Sequence, residues 1–453
     1  MRVLLIKPNW SYPVDKADST YNRRWPPLDL LNCAAFLHRR GHHAAILDAS
    51  VEALDTDELA ARATAFDRVF ITSTSLDRWQ CPNIDLSAFL RAVEALRRAQ
   101  VTFHVMGTHG TVRPHDILEL TNAATVIRGE PEAAVVEVSE RDDPAAIAGI
   151  TYRRHDEIRS TPDREPLPLE EFPLPAFDLL DYDRYSYEVL GDRFALLETS
   201  RGCPFSCTFC VKSMYGKGMR LKTLAQVHTE IDYLVDKLRI RSVYFIDLEF
   251  TLHEERVLAV CEHLRVRGRP FVWCCQTRAD AVSSRILEAM KAAGCAIIHF
   301  GVESGSEKIS GTLSKRISID QVETGVSLTK RAGIKTVCFF MFGLPGEQVP
   351  DMAETLAFAK RLNPTYASFH VALPYPGTAF YEMVRPRLSD DLFPRSYDGD
   401  VPNKKLQRFV RWAFFAYYFR PGYLIGRWRD EGWRALIHEG VFFLRYFWSR
   451  WVK

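Results

Sequence analysis

The chain has 453 residues, of which 47% are hydrophobic and 26% charged, and its net charge is +2. This balance is typical of a folded globular protein, excludes a disordered chain, and gives no overall argument for nucleic acid as a partner. The length predicts two or three domains. The apolar run that begins at Met1 breaks at Lys7 and Pro8. We therefore interpret it as a first strand and not as a signal peptide or membrane span.

Short apolar runs alternate with helical patterns in the N-terminal third, which predicts a doubly wound, Rossmann-like parallel sheet. The predicted strands are Val3–Ile6, Ala44–Leu47, Val69–Thr72, Phe103–Met106 and Thr125–Ile127. The predicted helices are Leu28–Arg40, Thr56–Ala65, Leu86–Arg98 and Pro114–Thr121. Ligands of such sheets bind beyond the carboxyl ends of the strands. The segments expected there are residues 8–10, 73–82, 107–111 and 128–130.

Residues 153–175 are rich in charge and proline, which predicts an extended linker. Six apolar runs with intervening helical patterns follow it and predict a partial (β/α)6 TIM-type barrel, open on one side. The runs are Ala195–Thr199, Ser242–Asp247, Phe271–Gln276, Ala296–Val302, Lys335–Met341 and Tyr366–Leu373. We predict a sheet domain over residues 1–140, a linker over 141–190, the α/β barrel over 191–385 and a C-terminal helical extension over 386–453.

Three cysteines follow the first barrel strand in the spacing C-x3-C-x2-C, at Cys203, Cys207 and Cys210. Three thiolates on one loop are able to hold three irons of a cubane cluster and leave the fourth iron open, whereas Fe–S clusters ordinarily have four cysteine ligands. A zinc loop or three unrelated thiols are the alternatives. The other cysteines show no second cluster spacing and are predicted to lie in the core, apart from Cys81 in a strand-end loop. A thiolate-ligated cluster needs a reducing compartment, so we predict a cytoplasmic protein.

The triplet, with the aromatic Phe209 before its last cysteine, resembles that of the radical S-adenosylmethionine (SAM) superfamily. The resemblance implies that a [4Fe–4S] cluster binds the amino and carboxylate groups of SAM through its open iron. One electron from the cluster then cleaves SAM to methionine and a 5′-deoxyadenosyl radical.

Polar residues follow several other barrel strands, where barrel enzymes place their sites. Asp247 and Glu249 can face one side and bind the SAM amino group or ribose, and Arg278 is a fork-shaped donor suited to a carboxylate. Solvated loop charges or helix caps are the alternative for each. The resemblance implies a ribose-binding role for Glu303 and adenine contacts from the backbone that follows the fifth strand. The predicted SAM-binding residues are Phe209, Asp247, Glu249, Arg278, Glu303, Ser304, Gly343 and Pro345.

The N-terminal layout resembles the cobalamin-binding domain that is fused to many radical SAM enzymes. The matching pieces are Lys7-Pro8-Asn9, Pro26-Pro27-Leu28, Gly107-Thr108-His109-Gly110 and Arg128-Gly129-Glu130. The Asp-x-His-x-x-Gly motif is absent, since Asp48 is followed by Ala49 and Ser50. The resemblance therefore implies cobalamin without a histidine ligand from that motif.

The loop after the third strand is our candidate for the lower face of the corrin ring, with the indole of Trp79 covering it. The alternatives are an ordinary loop with one packed tryptophan, or a sheet domain that binds nothing. The predicted cobalamin contacts are Asn9, Ser73, Thr74, Arg78, Trp79, Gly107, His109, Gly129 and Glu130.

The tail from about Asn403 is dense in aromatic residues with intervening arginines, in two runs at residues 409–421 and 441–452. Both runs are too short or too interrupted to span a bilayer and predict helices with an apolar face and a basic edge. Three roles are open: a cap packed on the barrel, a lid over the substrate, or a peripheral membrane contact.

The resemblance covers residues 1–385 and implies C-methylation of an unactivated carbon. One SAM gives methylcobalamin, and a second gives the radical that activates the substrate. The alternatives are a non-methylating radical reaction (oxidative cyclisation, ring contraction or another rearrangement) and a cobalamin-binding sensor with an inactive barrel. The predicted partners are a small-molecule or lipid-like substrate and an external electron donor such as flavodoxin or ferredoxin, with no nucleic acid.

Overall fold

A computed structural model of the protein describes residues 1–10, 24–430, 432, 433 and 440. The N-terminal domain is a seven-stranded sheet in the order β2-β1-β3-β4-β5-β6-β7, and β1 to β5 are parallel. Its strands are β1 (Arg2–Lys7), β2 (His43–Asp48), β3 (Arg68–Thr72), β4 (His104–Met106), β5 (Thr125–Ile127), β6 (Ile150–Arg154) and β7 (Glu157–Ser160). The strand order reverses around β1, and this confirms the predicted doubly wound sheet.

The helices of this domain cover both faces of the sheet with apolar side chains, which produces two separate hydrophobic clusters. They are α1 (Leu28–Arg39), α2 (Ala49–Glu52), α3 (Thr56–Ala63), α4 (Ser87–Arg98), α5 (Thr108–Val112), α6 (Pro114–Thr121) and α7 (Glu132–Glu140).

The segment predicted as linker begins with structure that the sequence analysis missed. Strands β6 and β7 form an antiparallel hairpin on the edge of the sheet, next to β5. The sequence analysis missed this hairpin because only Ile150, Thr151 and Tyr152 are buried in it, while residues 153–160 are mostly exposed and many are charged. The prolines between residues 162 and 175 lie outside strands and helices, as the predicted linker requires.

The central domain is a six-stranded parallel sheet in the order of the chain, β10-β13-β14-β15-β16-β17. Its strands are β10 (Phe194–Leu197), β13 (Ser242–Phe245), β14 (Val272–Thr277), β15 (Cys295–Glu303), β16 (Lys335–Phe342) and β17 (Tyr366–Val371). In the described chain no pairing joins β10 to β17, so the barrel is open between them. Two short hairpins precede and follow β10, from β8 (Ser186–Tyr187) and β9 (Gly191–Asp192) and from β11 (Ser200–Gly202) and β12 (Met219–Leu221).

The barrel helices are α8 (Leu224–Asp236), α9 (Glu254–Val266), α10 (Ser284–Ala292), α11 (Glu307–Thr312), α12 (Ile319–Arg331), α13 (Val349–Leu362) and α14 (Ala379–Val384). Side-chain caps begin several of them: Thr223 and Ser318 form capping boxes at α8 and α12. The helical patterns predicted between the barrel strands are thus present as helices.

Side chains of the sheet domain also enter the hydrophobic cluster that fills the barrel. Trp25, just before α1, packs its ring against Tyr187, Phe194 and Tyr244 at centroid distances of 5.1, 5.5 and 5.4 Å. Leu76 also belongs to the cluster that fills the barrel. The carboxyl end of the sheet therefore faces the carboxyl end of the barrel.

The first aromatic run of the tail forms α15 (Asn403–Tyr418), which packs on β17 and α13. Tyr418 Oη bonds both the backbone N and the O of Ala367 and so satisfies the exposed edge of β17. The second run, residues 441–452, lies outside the described residues. No helix in the described part of the chain is long and apolar enough to cross a membrane.

Candidate active site

The cysteine loop leaves the barrel directly after β10 and the first strand of the β11–β12 hairpin. Gly202 has φ +85°, and a Cβ there would lie 2.3 Å from the carbonyl oxygen of Gly218, so only glycine fits this close strand crossing. The backbone of Thr208 then bonds Leu313 O at 3.1 Å and Phe380 N at 2.8 Å. These bonds fix the loop against α11 and α14, and Phe209 packs into the same cluster.

The three thiols are partly buried, and their environment suits ligands of a cluster. Burial raises the pKa of Cys203 to about 11 and raises the pKa of Cys207 and Cys210 as well. The thiols are therefore protonated until irons bind and displace the protons. Within the described residues no three His, Cys, Asp or Glu side chains converge on a single ion. In a cubane cluster each thiolate binds a different iron, and three cysteines on one loop supply ligands for three irons.

A buried lysine lies beside the loop, and the sequence analysis missed it. Lys315 Nζ donates to Glu303 Oε1 at 3.0 Å and to Gly301 O at 2.6 Å. Glu303 has φ +71° where the β15–β16 register shifts, which turns its carboxylate toward this ammonium. Lys315 lowers and Glu303 raises the pKa of the Cys207 thiol, so both groups act on the cluster loop. No motif in the sequence marks Lys315; only the fold brings it to Glu303.

Glu249 lies in the same polar group. Its Oε2 accepts from the backbone N of Arg278 at 2.9 Å, and burial raises its pKa to about 7. Charges of both signs thus surround the cysteine loop, as the zwitterionic amino-acid end of SAM requires. Glu249, Glu303 and Lys315 are the residues that fit this ligand.

Asp247 and Arg278 were predicted as SAM contacts, but the structure gives both other partners. Asp247 is buried and accepts from Thr199 N and Thr199 Oγ1, which ties β13 to the chain that enters the cysteine loop. Arg278 directs its fork at Asp280, at 2.9 and 2.7 Å, and its guanidinium lies 4.0 Å from the ring centroid of Phe205. Both residues therefore brace the loop.

Ser304, Gly343 and Pro345 follow the fourth and fifth barrel strands. Ser304 Oγ bonds Thr355 Oγ1 of α13 at 3.1 Å and is buried, and its SAM contact stays a prediction. Gly343 has φ +85°, and its N and that of Leu344 donate to Glu347 Oε2. The half-buried Pro345 completes the turn. The backbone of this turn remains the predicted contact for adenine.

At the carboxyl end of the sheet, the loops after β3 and β4 meet around Gly107. A Cβ at Gly107 would lie 2.8 Å from Ser73 Oγ and 2.8 Å from Thr74 N. Thr74 Oγ1 accepts from Thr108 N at 2.7 Å, while Ser73 Oγ has no partner among the described residues. Ser73 Oγ and the backbone of Gly107 lie at the strand ends where such sheets bind ligands, and an unpaired hydroxyl there fits a polar cofactor such as cobalamin.

The other predicted cobalamin contacts lie in the segments that follow β1, β3, β4 and β5. Asn9 is exposed after β1, and Gly129 has φ +75° with its N bonded to Thr111 Oγ1 at 3.0 Å. Arg78 bonds Asn83 Oδ1 at 3.0 Å inside its own loop. His109 is buried with Nε2 2.7 Å from Asn83 O, and burial lowers its pKa to about 4.

Trp79 and Glu130 do not lie where the prediction placed them. Trp79 is 0% exposed, between Tyr215 and the guanidinium of Arg201, so its ring has no open face for a corrin. The structure agrees with the alternative, a packed tryptophan. Glu130 forms ion pairs with Arg201 at 3.2 Å and with Arg220. The sequence could not reveal either partner, because both come from the other domain.

Arg201 is the centre of the contact between the domains. It is 1% exposed and pairs with Glu132 of α7 at 2.7 Å and with Glu198 at 2.9 Å, besides Glu130. Burial alone would lower its pKa, but the three carboxylates together raise it. Because Arg201 lies two residues before Cys203, this network connects the sheet domain to the cluster loop.

A row of polar and aromatic side chains crosses the inside of the barrel. Tyr244 Oη donates to Gln276 Oε1 at 3.0 Å and lies 3.1 Å from His299 Nδ1. The ring of His299 meets Phe339 edge to face at 5.9 Å. The sequence analysis did not group these four residues, because they lie on four different strands: Tyr244, Gln276, His299 and Phe339. These side chains are candidates for contact with the substrate.

Comparison with known proteins agrees with both halves of the site. The radical SAM superfamily model matches residues 197–359, and the B12 binding domain model matches residues 17–139. A protein of Pyrococcus horikoshii named an uncharacterized methyltransferase is 30% identical over 444 residues, 94% of each chain. The anaerobic magnesium-protoporphyrin IX monomethyl ester cyclase of Rubrivivax gelatinosus is 25% identical, over 84% of this chain and 70% of its own.

Among solved structures, the radical SAM methyltransferase TsrM of Kitasatospora setae, with cobalamin and a [4Fe-4S] cluster bound, has a TM-score of 0.70. It is 18% identical and covers 84% of this chain and 77% of its own, so it supports the fold. The chain belongs to the radical SAM enzymes that carry a cobalamin-binding domain. It is thus an enzyme whose cofactors are SAM, a [4Fe–4S] cluster and cobalamin, and such enzymes act on small molecules, tryptophan in the case of TsrM.

Proposed function

We propose that the protein transfers a methyl group from SAM to an unactivated carbon of a small molecule. The observation that carries this proposal is direct contact between the two cofactor regions. Val211 N, next to Cys210, donates to Gln80 O at 3.3 Å, and Tyr215 Oη donates to Gln80 Oε1 at 3.3 Å. A group bound at the end of the sheet and one bound at the cysteine loop would therefore face a common space, as a methyl donor and a radical source must.

When bound, the cluster and SAM supply a 5′-deoxyadenosyl radical, and cobalamin carries the methyl group. The chain's own contribution is placement. Cys203, Cys207 and Cys210 hold the cluster, while Lys315, Glu303 and Glu249 provide charges for the two ends of SAM. Gly107 and Ser73 lie at the strand ends that we propose for cobalamin. Asp247 and Arg278 hold the loop still, so that the distance between the two regions is fixed.

For the substrate we propose a small molecule with an apolar body and few polar groups. The half-buried Gln276 and Phe339, which lie beside the buried Tyr244 and His299, support this, because an amide group and an aromatic ring are partly accessible there. A lipid-like molecule is one member of this class. The electron donor that we propose is a small reduced protein such as flavodoxin or ferredoxin, and the need for a reduced cluster supports a cytoplasmic location.

A second candidate is a radical cyclisation or rearrangement without methyl transfer, which the similarity to the cyclase of Rubrivivax gelatinosus supports. Such a reaction needs the same cluster, SAM site and barrel. The two candidates differ in the fate of SAM, because only methyl transfer leaves S-adenosylhomocysteine.

The experiment uses full-length protein, purified anaerobically, with cluster and cobalamin reconstituted. It is reduced and incubated with SAM bearing a CD3 group and with a small-molecule extract of the source cells. We expect S-adenosylhomocysteine and 5′-deoxyadenosine in similar amounts, with a new product that carries the intact CD3 group. 5′-Deoxyadenosine without S-adenosylhomocysteine would replace methyl transfer by the second candidate, and absence of both would indicate a sensor.

A further inference from the structure

α15 and residues 421–430, 432 and 433 carry large apolar side chains that are exposed to solvent. Trp412 is 52% exposed, Phe419 66%, Trp428 56% and Trp433 60%, and Leu424 and Ile425 are exposed as well. We call these six residues the aromatic patch. Large apolar side chains exposed together on one surface often mark an interaction site.

One face of α15 is buried against the barrel, and the part of the aromatic patch that belongs to this helix lies on the opposite, exposed face. Leu406, Ala413 and Tyr417 are buried toward the barrel, with Tyr417 Oη bonded to Pro364 O at 2.5 Å. Trp412 and Phe419 are seven residues apart, so they lie on one line along the opposite face. Apart from the contact of the Trp412 ring with Lys360 Nζ of α13 at 5.8 Å, these outward side chains face solvent.

Basic side chains lie on the same helix face as the aromatic patch. Lys404, Lys405, Arg408 and Arg411 are exposed on the first turns of the same helix face, and none has an ion-pair partner among the described residues. Residues 402–430 contain seven Lys or Arg and one acidic residue, Asp430. Because the whole chain has a net charge of only +2, the positive charge is concentrated at this surface.

We propose that α15 and residues 421–433 dock on the surface of a bilayer that contains anionic lipids. Tryptophan and phenylalanine are the side chains that settle at the boundary between headgroups and acyl chains, and unpaired lysines and arginines bind anionic headgroups. No helix in the described part of the chain is able to cross the bilayer, so the protein lies on it. The excess of basic residues favours lipid phosphates over a protein partner.

Docking also orients the enzyme. α15 lies along β17, the edge strand beside the opening of the barrel, and Tyr423 Oη bonds Thr365 O at 2.9 Å near the start of that strand. The open side of the barrel therefore faces toward the bilayer. The proposed docking does not depend on methyl transfer, and it would hold equally for a rearrangement.

The test is flotation of the full-length protein with vesicles of phosphatidylcholine alone or of phosphatidylcholine with phosphatidylglycerol. We expect binding to the anionic vesicles that weakens as salt rises. The triple variant W412S/F419S/W428S and the charge variant K404E/K405E/R408E should each lower the vesicle partition coefficient about tenfold or more. The matched control V266S/M383S removes exposed apolar side chains elsewhere and should bind as the parent protein does.

Each variant is first checked for the thermal midpoint and the iron–sulfur absorbance of the parent protein, since the substituted side chains are exposed. Three results would overturn the proposal: no binding to anionic vesicles at low salt, binding that both variants retain, or equal loss in the control. Self-association that the triple variant abolishes, without vesicle binding, would assign the patch to a second copy of the chain.

Discussion

Lys315 shows how much of the site is decided by single side chains. Its ammonium is buried beside Glu303 and near Glu249, so it offsets their negative charge in the region that we propose for SAM. A hydrogen bond to a charged group contributes about 1.5–3 kcal/mol. We therefore treat Lys315 as a residue that positions Glu303 for SAM.

Replacing Lys315 by methionine should weaken SAM binding about tenfold while the iron and sulfide content stays unchanged. The dissociation constant of SAM for the reconstituted protein is the measurement. The matched control is Lys308→Met, which removes an exposed lysine that pairs with Asp351. A SAM affinity equal in the parent and both variants would remove Lys315 from the site.

His109 makes the sheet domain sensitive to acid. Burial lowers its pKa from 6.5 to about 4, so the folded protein holds it neutral while the unfolded chain takes up a proton below pH 6.5. The stability that it contributes is present above pH 6.5 and is lost as the pH falls toward 4. Between pH 7 and pH 5 this linkage should cost about 2 kcal/mol.

In the variant His109→Gln, the free energy of urea-induced unfolding should fall less between pH 7 and pH 5 than in the parent protein. His104, whose pKa burial lowers to about 3, remains as an internal reference with the same sign. The same decrease in variant and parent would show that His109 does not titrate as described.

Residues whose role depends on local spacing could be predicted from the sequence, whereas residues whose role depends on the fold could not. Cys203, Cys207 and Cys210 are recognisable because one short loop contains all three. Asp247 and Arg278 have the right chemistry for SAM, but Asp247 accepts from Thr199 and Arg278 pairs with Asp280 of its own loop. Lys315 reaches its place only when α11 folds back beside β15.

Among the elements, the β11–β12 hairpin sets the start of the cysteine loop. Gly202 and Gly218 both have positive φ, +85° and +75°, but only Gly202 faces another backbone atom at 2.3 Å. Substituting each glycine by alanine therefore distinguishes two free-energy costs. Both variants have the cost of a positive φ, whereas only the variant at Gly202 also has the cost of a steric clash.

Gly202→Ala should lower the free energy of unfolding by about 2–4 kcal/mol and reduce the iron bound per chain. Gly218→Ala should cost about 1 kcal/mol, because a Cβ there meets nothing within 4 Å. Urea unfolding and iron analysis of both variants test this. Equal effects of the two substitutions would mean that the close crossing of the hairpin does not shape the loop.

The strands and helices of both domains could be predicted because their apolar periodicity is strong. The β6–β7 hairpin could not, since its outward residues, such as Arg153 and Arg159, are charged and the prolines that follow dominate the composition. The first aromatic run of the tail was predicted as a helix, and α15 confirms it. Its exposed face became visible only when the packed face was known.

At the scale of the whole molecule, Arg201 connects the cofactor regions. A buried arginine that pairs with carboxylates of two domains is sensitive to loss of either side, because a remaining charge is buried without compensation.

Arg201→Met should lower the free energy of unfolding by about 3–5 kcal/mol. Adding Glu132→Gln to Arg201→Met should recover part of this loss, because one uncompensated carboxylate is removed. A double-mutant cycle from urea unfolding is the measurement. Strictly additive costs would contradict the pairing of Arg201 and Glu132 in solution.

The most direct test of the whole account is the corrin content of the protein. The chain is expressed anaerobically with cobalamin supplied, the cluster is reconstituted, the sample is desalted, and corrin per chain is measured by absorbance after cyanide treatment. We predict close to one corrin per chain together with a full iron–sulfur cluster. A full cluster with almost no corrin would contradict a cobalamin-dependent methyl transfer and leave the sheet domain without its proposed ligand.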